Sequence, residues 1–353
     1  MAAAADKARF YLEQHVPTLQ TYSRLSLFTR AEIAAITSKR STFEHIINSR
    51  GGSTPADFAR YAEYEINLNA LLKHRCRRLG IKDRRLAYDG KKNVFFILER
   101  GTKKFPGDMG LWMQYIDFCK REKANKKLVK VFTAVLRLKP REWGLWVLAA
   151  KWFAEEQMDM QNARGYLQRG LRFCKDEVRL WLEYVKLEMV YLAKVAARRK
   201  ILGLDEKMAG DAAEVEEDAV AKADGDEDMI ALPTITAAEF EPEPSRGTDA
   251  VDLEALQKLA QAPVFSGAIP IAIFDAAMKQ FNNSAQMAEQ IFELVAAFDQ
   301  TPASSTVLEH ILSHLRSTSP SSSEAIMCEA RLSIFGTDML SPDFPAALGT
   351  SLS

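Results

Sequence analysis

Two groupings of side chains in this sequence have the types and spacings to do chemistry. Residues 73–92 hold nine bases, Lys73, Arg75, Arg77, Arg78, Lys82, Arg84, Arg85, Lys91 and Lys92, against Asp83 and Asp89. Cations at that density suit a polyanion, because each phosphate contact releases a condensed counterion and makes binding salt-sensitive. They suit an acidic protein surface too, or a solvated face with no ligand. If the first part of the run is helical, Arg75, Arg78 and Lys82 share one face at i, i+3 and i+7. Tyr88 is the one aromatic in the run, so the stacking platform that single strands favour is thin. Arg198 and Arg199 are a smaller candidate contact for phosphate or an acidic partner, and they equally suit a helix C-terminus. The second grouping is His310 and His314, four apart as a metal pair would be. No Glu follows His310, no Cys stands beside them and no third ligand is near, so they read as surface or half-buried histidines.

Catalytic machinery is not legible. Gly101, Gly107 and Gly110 form no phosphate-binding fingerprint, and Gly51-Gly52 has no neighbouring Lys-Ser/Thr. No Gly-x-Ser-x-Gly element occurs. Cys76, Cys119, Cys174 and Cys328 are isolated and read as buried thiols in a reducing compartment. The expectation is a non-enzyme with no cofactor, no metal and no small-molecule substrate.

The elements that must position these residues follow from composition and periodicity. At 47% apolar the chain can bury a sizeable core. Its zero net charge hides a division, since residues 1–204 carry +19 and residues 205–353 carry −19. No stretch approaches a transmembrane span, and the N-terminus lacks a basic segment followed by an apolar run, so neither a membrane nor a secretory signal is expected.

Leu-Trp occurs at Trp112, Trp146 and Trp181, spaced 34 and then 35 residues apart, which is the length of one helix–turn–helix repeat. With Trp as position zero, Tyr115, Ala149 and Tyr184 stand at +3 and Phe118, Trp152 and Leu187 at +6. Pro106, Pro140 and Lys175 stand at −6. Arg100-Gly101 and Arg169-Gly170 begin twelve residues before Trp112 and Trp181, where the middle unit has Ala134. Phe58 with Tyr61 and Tyr64 fits the same register as a first, divergent unit. Phe58, Tyr61, Trp112, Tyr115, Phe118, Trp146, Trp152, Trp181 and Tyr184 are therefore the expected repeat core. The reading is all-α, a helical-repeat superhelical solenoid.

Along the chain, residues 1–52 read as N-terminal helices, a cap or a docking element. A helix over 6–22, with Phe10, Val16 and Leu19 partly on one side, would be interrupted or bent at Pro17. Thr29 with Glu32 forms a capping box, and Thr54-Pro55 starts another helix. Residues 53–204 read as the aromatic array, with 73–92 as a basic insert ahead of a second helix at 93–104. Residues 205–250, rich in Asp and Glu, read as a disordered linker. Residues 251–353 return to helices near 252–261, 268–281, 284–298, 304–317 and 323–335. There the 34-residue spacings Phe274–Leu308 and Phe292–Ile326 suggest two units without tryptophan.

Units of this kind resemble half-a-tetratricopeptide repeats. Longer motifs are more specific: Leu27-Phe-Thr with Glu32-Ile33, the Arg40–Glu44 stretch, and Phe58-Ala-Arg-Tyr-Ala-Glu-Tyr-Glu65. Lys104-Phe-Pro-Gly-Asp108, Tyr166-Leu-Gln-Arg-Gly170, Trp181-Leu-Glu-Tyr184 and Ala196-Ala-Arg-Arg-Lys-Ile-Leu-Gly203 continue them. Together they resemble the U3 small nucleolar RNA-associated protein 6 family over residues 1–204 and again at 266–274. The resemblance implies a non-enzymatic scaffold of the nucleolar small-subunit processome. It further implies WD-repeat β-propeller partners, and work with the U3 ribonucleoprotein near the 5′ external transcribed spacer of pre-ribosomal RNA. It supplies no RNA-contact residue. Two other readings stand beside it: a scaffold of another RNA machine, such as mRNA 3′-end processing or splicing, and a direct pre-rRNA-binding protein.

Overall fold

The computed structural model describes residues 2–49, 51–82, 84–201, 267–336, 345–346 and 348–349. Among them are fourteen long helices and no strand, so the fold is all-α. One compact unit, residues 1–139, holds α1 (Ala2–Glu13), α2 (Val16–Arg24), α3 (Arg30–Asn48), α4 (Pro55–Arg78), α5 (Arg84–Lys104), α6 (Met109–Arg121) and α7 (Asn125–Leu138). The other, residues 140–353, holds α8 (Trp143–Glu156), α9 (Met160–Phe173), α10 (Val178–Ile201), α11 (Ala268–Gln280), α12 (Ala285–Ala296), α13 (Ala303–Thr318) and α14 (Ser323–Ile334). The acidic stretch 205–250 and the helix expected at 252–261 lie outside the described residues.

Local chemistry sets the helix starts. Glu32 Oε2 accepts the Thr29 N–H at 2.8 Å while Thr29 Oγ1 accepts the Glu32 N–H at 3.3 Å, closing the capping box of α3. Asp57 does the same work for Thr54 at the start of α4, and Asp108 and Asp159 cap α6 and α9. Each such cap contributes about 1 kcal/mol.

At Pro17 the helix is interrupted rather than bent: α1 ends at Glu13 and Pro17 becomes the second residue of α2, where its missing N–H costs nothing. Three other expectations are corrected. Phe10 and Val16 are exposed, and Ala8 and Tyr22 are the buried residues of these two helices instead. The second helix of the first hairpin begins at Arg84 rather than at residue 93, and α4 runs on to Arg78, so the bases of 73–92 lengthen both arms of that hairpin. Finally, Phe274, Leu308 and Phe292 are buried but Ile326 is 59% exposed, and Ala325 and Cys328 face the core in its place.

The hairpins α4–α5, α6–α7 and α8–α9 pack helix on helix. In α4–α5 and in α8–α9 the aromatic at register zero lies against the second helix. A Cβ on Gly101 of α5 would stand 3.1 Å from the Phe58 ring, and one on Gly170 of α9 would stand 2.8 Å from Trp146 Cγ. Glycine lets the ring lie directly on the second helix. A second aromatic at the end of that helix covers the same ring: Phe105 on Phe58 and Phe173 on Trp146, each with centroids 5.9 Å apart. Phe281 stands edge-on to Trp181 at 6.3 Å in the same way. α11 therefore serves as second helix to α10, although 66 residues separate them in sequence.

Each indole N–H also finds the same acceptor. Trp112 Nε1 donates to Pro106 O at 3.0 Å, Trp146 Nε1 to Pro140 O at 2.9 Å, and Trp181 Nε1 to Lys175 O at 3.0 Å. The acceptor is backbone at −6, so lysine serves as well as proline. In the second unit, α12 packs on α10, α13 and α14, and Ile291, Phe292, Val307 and Ile311 fill that core.

Gly170→Ala is expected to destabilise the second unit by about 1–3 kcal/mol, since the rigid Trp146 ring must move. Gly165→Ala, whose Cβ would meet only Arg169 Nη2 at 3.6 Å, is expected to stabilise by up to about 1 kcal/mol. Urea midpoints followed by tryptophan fluorescence check the opposite signs.

Candidate partner-binding surfaces

The expected repeat-core residues are all buried: Phe58, Tyr61, Trp112, Tyr115, Phe118, Trp146, Trp152, Trp181 and Tyr184. They shape the surfaces without being available to a ligand. The expected cationic contacts divide. Arg75 is engaged inside the first unit, donating from Nη1 to Leu27 O at 2.9 Å and from Nη2 to Glu32 Oε1 at 2.6 Å, with its guanidinium over the Phe28 ring. The Arg75 hydrogen bonds to Glu32, joined by that of the Thr29 N–H, hold the Glu32 carboxyl down at about 2. Lys73 and Lys91 both reach Glu122. Arg77, Arg78, Lys82 and Arg85 are exposed, and the side chain of Arg84 lies outside the described set. Arg198 is exposed on α10 and Arg199 is half-buried beside it.

Sequence reasoning missed a set of buried ion pairs. Arg40 of α3 forks onto Glu65 of α4 at 2.7 and 2.9 Å, with both side chains 2% exposed. Arg100 of α5 forks onto Glu44 of α3 at 3.0 Å on both oxygens. Arg164 of α9 forks onto Glu188 of α10 at 2.7 and 2.8 Å. Burial opposes the charge on Arg40, yet Glu65 outweighs it and raises the guanidinium's pKa. The signal was present in the register. Glu65 and Glu188 both stand at +7, on the face that is otherwise core, where the intervening units have Cys119 and Phe153. Their arginines stand 18 residues before Phe58 and 17 before Trp181. At the matching place before Trp112 stand Val94 and Phe95, and Phe95 packs edge-on to Phe118 at 4.8 Å.

Two grooves among the described residues bear on binding. In the first unit, a groove of about 450 Å³ lies between α5 and the α6–α7 turn. Lys91 and Lys92 come from α5 and Lys123, Lys126 and Lys127 from the turn and the start of α7, with Glu122 the one carboxylate among the lining residues described. Phe95 floors it beneath Lys127, whose Nζ is 4.1 Å from the ring centroid, and Tyr88 stands at the rim, 66% exposed. Three of these lysines fall in Arg121–Lys127, outside the run that composition singled out. In the second unit, a groove of about 400 Å³ between α8, the α8–α9 turn and α10 is lined by Met158, Met160, Leu187, Val190 and Tyr191, with the Lys151–Glu183 pair beside it.

His310 Nε2 lies 2.8 Å from Asp275, and both His310 and His314 stand edge-on to Phe274. No group of three His, Cys, Asp or Glu side chains suited to a metal occurs among the described residues. Cys119 and Cys328 are buried, which pushes their thiols up to about 12 and about 11, while Cys76 and Cys174 are half-buried. No described helix is long and apolar enough to cross a membrane.

The sequence matches the family signature described as U3 small nucleolar RNA-associated protein 6 over residues 12–94. A Schizosaccharomyces pombe protein named U3 small nucleolar RNA-associated protein 6 is 33% identical over 240 residues, covering 67% of this chain and 49% of that protein. A Homo sapiens protein named as its homolog is 32% identical over 191 residues, covering 54% of this chain and 32% of that protein. A Dictyostelium discoideum homolog is 26% identical over 275 residues, covering 78% of this chain and 42% of that protein. The chain thus spans half or less of the length of these relatives.

Arg40→Met is expected to cost about 3–5 kcal/mol, because it strands Glu65 in the core, and Arg40→Met/Glu65→Leu is expected to recover most of that. Chemical denaturation of the two variants checks it. Near this pair, burial and then the Arg40 charge push His15 down to about 4. The unfolded chain therefore binds more protons between pH 6.5 and 4. Stability is full above about pH 6.5 and falls by on the order of 2 kcal/mol as pH drops through that window. His15→Gln is expected to flatten the melting temperature between pH 6.5 and 4.5, above the range in which protonation of Glu32 acts.

Proposed function

The chain belongs to the U3 small nucleolar RNA-associated protein 6 family, and on that footing we propose that it is a non-enzymatic scaffold subunit of the nucleolar small-subunit processome. It binds WD-repeat partner proteins and supports U3-dependent early processing of pre-18S ribosomal RNA and 40S subunit assembly. The similarity to proteins named for association with U3 small nucleolar RNA carries this reading.

The physical character of the chain supports it. Stacked helix pairs present long faces to partners, and stacking is what stabilises them. The most tightly held polar groups, Arg40–Glu65 and Arg164–Glu188, sit between helices of the same unit and hold register rather than reactants. The groove lined by Met158 and Met160 offers flexible, polarizable side chains that adapt to a partner's apolar residues.

Purification of the tagged protein from nuclear extract at moderate salt tests the proposal, with co-purifying proteins and RNAs identified. Recovery of WD-repeat processome subunits together with U3 RNA is expected, with the proteins retained after nuclease. Recovery of mRNA 3′-end or splicing factors in their place would overturn it.

A further inference from the structure

We propose that the groove between α5 and the α6–α7 turn binds the phosphodiester backbone of single-stranded RNA, with Tyr88 stacking on a base. The inference deepens the reading of this chain as part of an RNA–protein particle, and rests on it.

The composition of the groove is one-sided. Five lysines reach it from two segments, 91–92 and 123–127, and tertiary structure brings the two segments together. The single carboxylate, Glu122, is already held between Lys91 at 2.5 Å and Lys73 at 3.8 Å. Lys92, Lys123 and Lys126 are exposed, as is Lys127 above the Phe95 ring. The start of α7 adds the positive end of a helix dipole, and Ala124 at its N-cap brings no side-chain oxygen to that end. Elsewhere Asp108 and Asp159 fill the same position with a carboxylate.

Lysines and a ring point to nucleic acid rather than to an acidic peptide. Among the described lining residues the cations are all lysine, which meets a phosphate or a carboxylate as a point charge, so it is the exposed ring that separates the two ligands. Lysine acts as a point charge and accepts the variable geometry of a flexible phosphate chain. Tyr88 leaves most of its ring in water at the rim, where a carboxylate chain would have no use for it and an unpaired base would stack. The exposed arginines Arg77 and Arg78, at the C-terminal end of α4, are not among the residues that line this groove.

The test is fluorescence anisotropy of a short labelled oligouridylate RNA with the full chain across a salt series. The triple variant Lys92→Gln/Lys123→Gln/Lys126→Gln is expected to flatten the slope of log K against log salt by about 2, at about 0.7 per phosphate contact on a single strand. Tyr88→Ala is expected to weaken binding about ten-fold at fixed salt. Arg77→Gln/Arg78→Gln is expected to leave the slope as it is, and unchanged melting temperatures show that the variants fold. An unchanged slope in the triple variant, or an equal loss in the Arg77/Arg78 variant, overturns the proposal. So does RNA binding that polyglutamate displaces at equal charge concentration and that Tyr88→Ala does not weaken, which assigns the groove to an acidic protein. Failure of RNA binding while the tagged protein still recovers U3 RNA and processome subunits removes this groove alone.

Discussion

A single ring wedged between the two helices of a hairpin is the contact on which the rest of this fold depends. Phe58 and Trp146 lie so close to the second helix that a Cβ in place of the glycine beneath would crowd Phe58 at 3.1 Å and displace Trp146 at 2.8 Å. An aromatic side chain buries on the order of 150–250 Å², more than any other single residue can bring to so short a hairpin. A buried indole also needs a partner for its N–H, and the backbone six residues earlier provides it at Trp112, Trp146 and Trp181. That bond ties the approach loop to the first helix, which sets where each hairpin begins. Because the acceptor is a carbonyl, the side chain at that place is free to vary between proline and lysine.

Apolar packing is non-directional, and it leaves helices free to slide by a turn. The Arg–Glu pairs remove that freedom. Arg40–Glu65 and Arg164–Glu188 both join a preceding helix to position +7 of the next, and the fork geometry tolerates little displacement. Their equivalence also identifies α3. It holds the place of a second helix ahead of α4, as α9 does ahead of α10. Tyr22, Leu27, Phe28 and Ile36 share one core with Leu68, Leu72 and Leu86. The N-terminal helices are thus continuous with the first unit.

The cationic half of the chain separates into two populations by what its side chains touch. Arg40, Arg75, Arg100 and Arg164 are matched to carboxylates and order the interior. The lysines around the α6–α7 turn, together with Arg77 and Arg78, face water. The forked interior pairs all use arginine, whose rigid fork holds geometry, while the described cations of the α5 groove are all lysine.

The sequence by itself determined the helical class, the 34-residue register and the capped starts of α3 and α4. Those depend on local hydrogen bonds and on a short periodicity that neighbouring residues express. It also placed α11 to α14 within about two residues. Only the tertiary structure decided which charges are interior. Arg75 and Arg78 look alike in a basic run, yet Glu32, 43 residues away in sequence, claims one and not the other. It likewise decided that α11 completes the hairpin begun by α10, and that Lys91 and Lys127 line one groove. Those outcomes depend on contacts between segments far apart in sequence, and such contacts leave no local period to read.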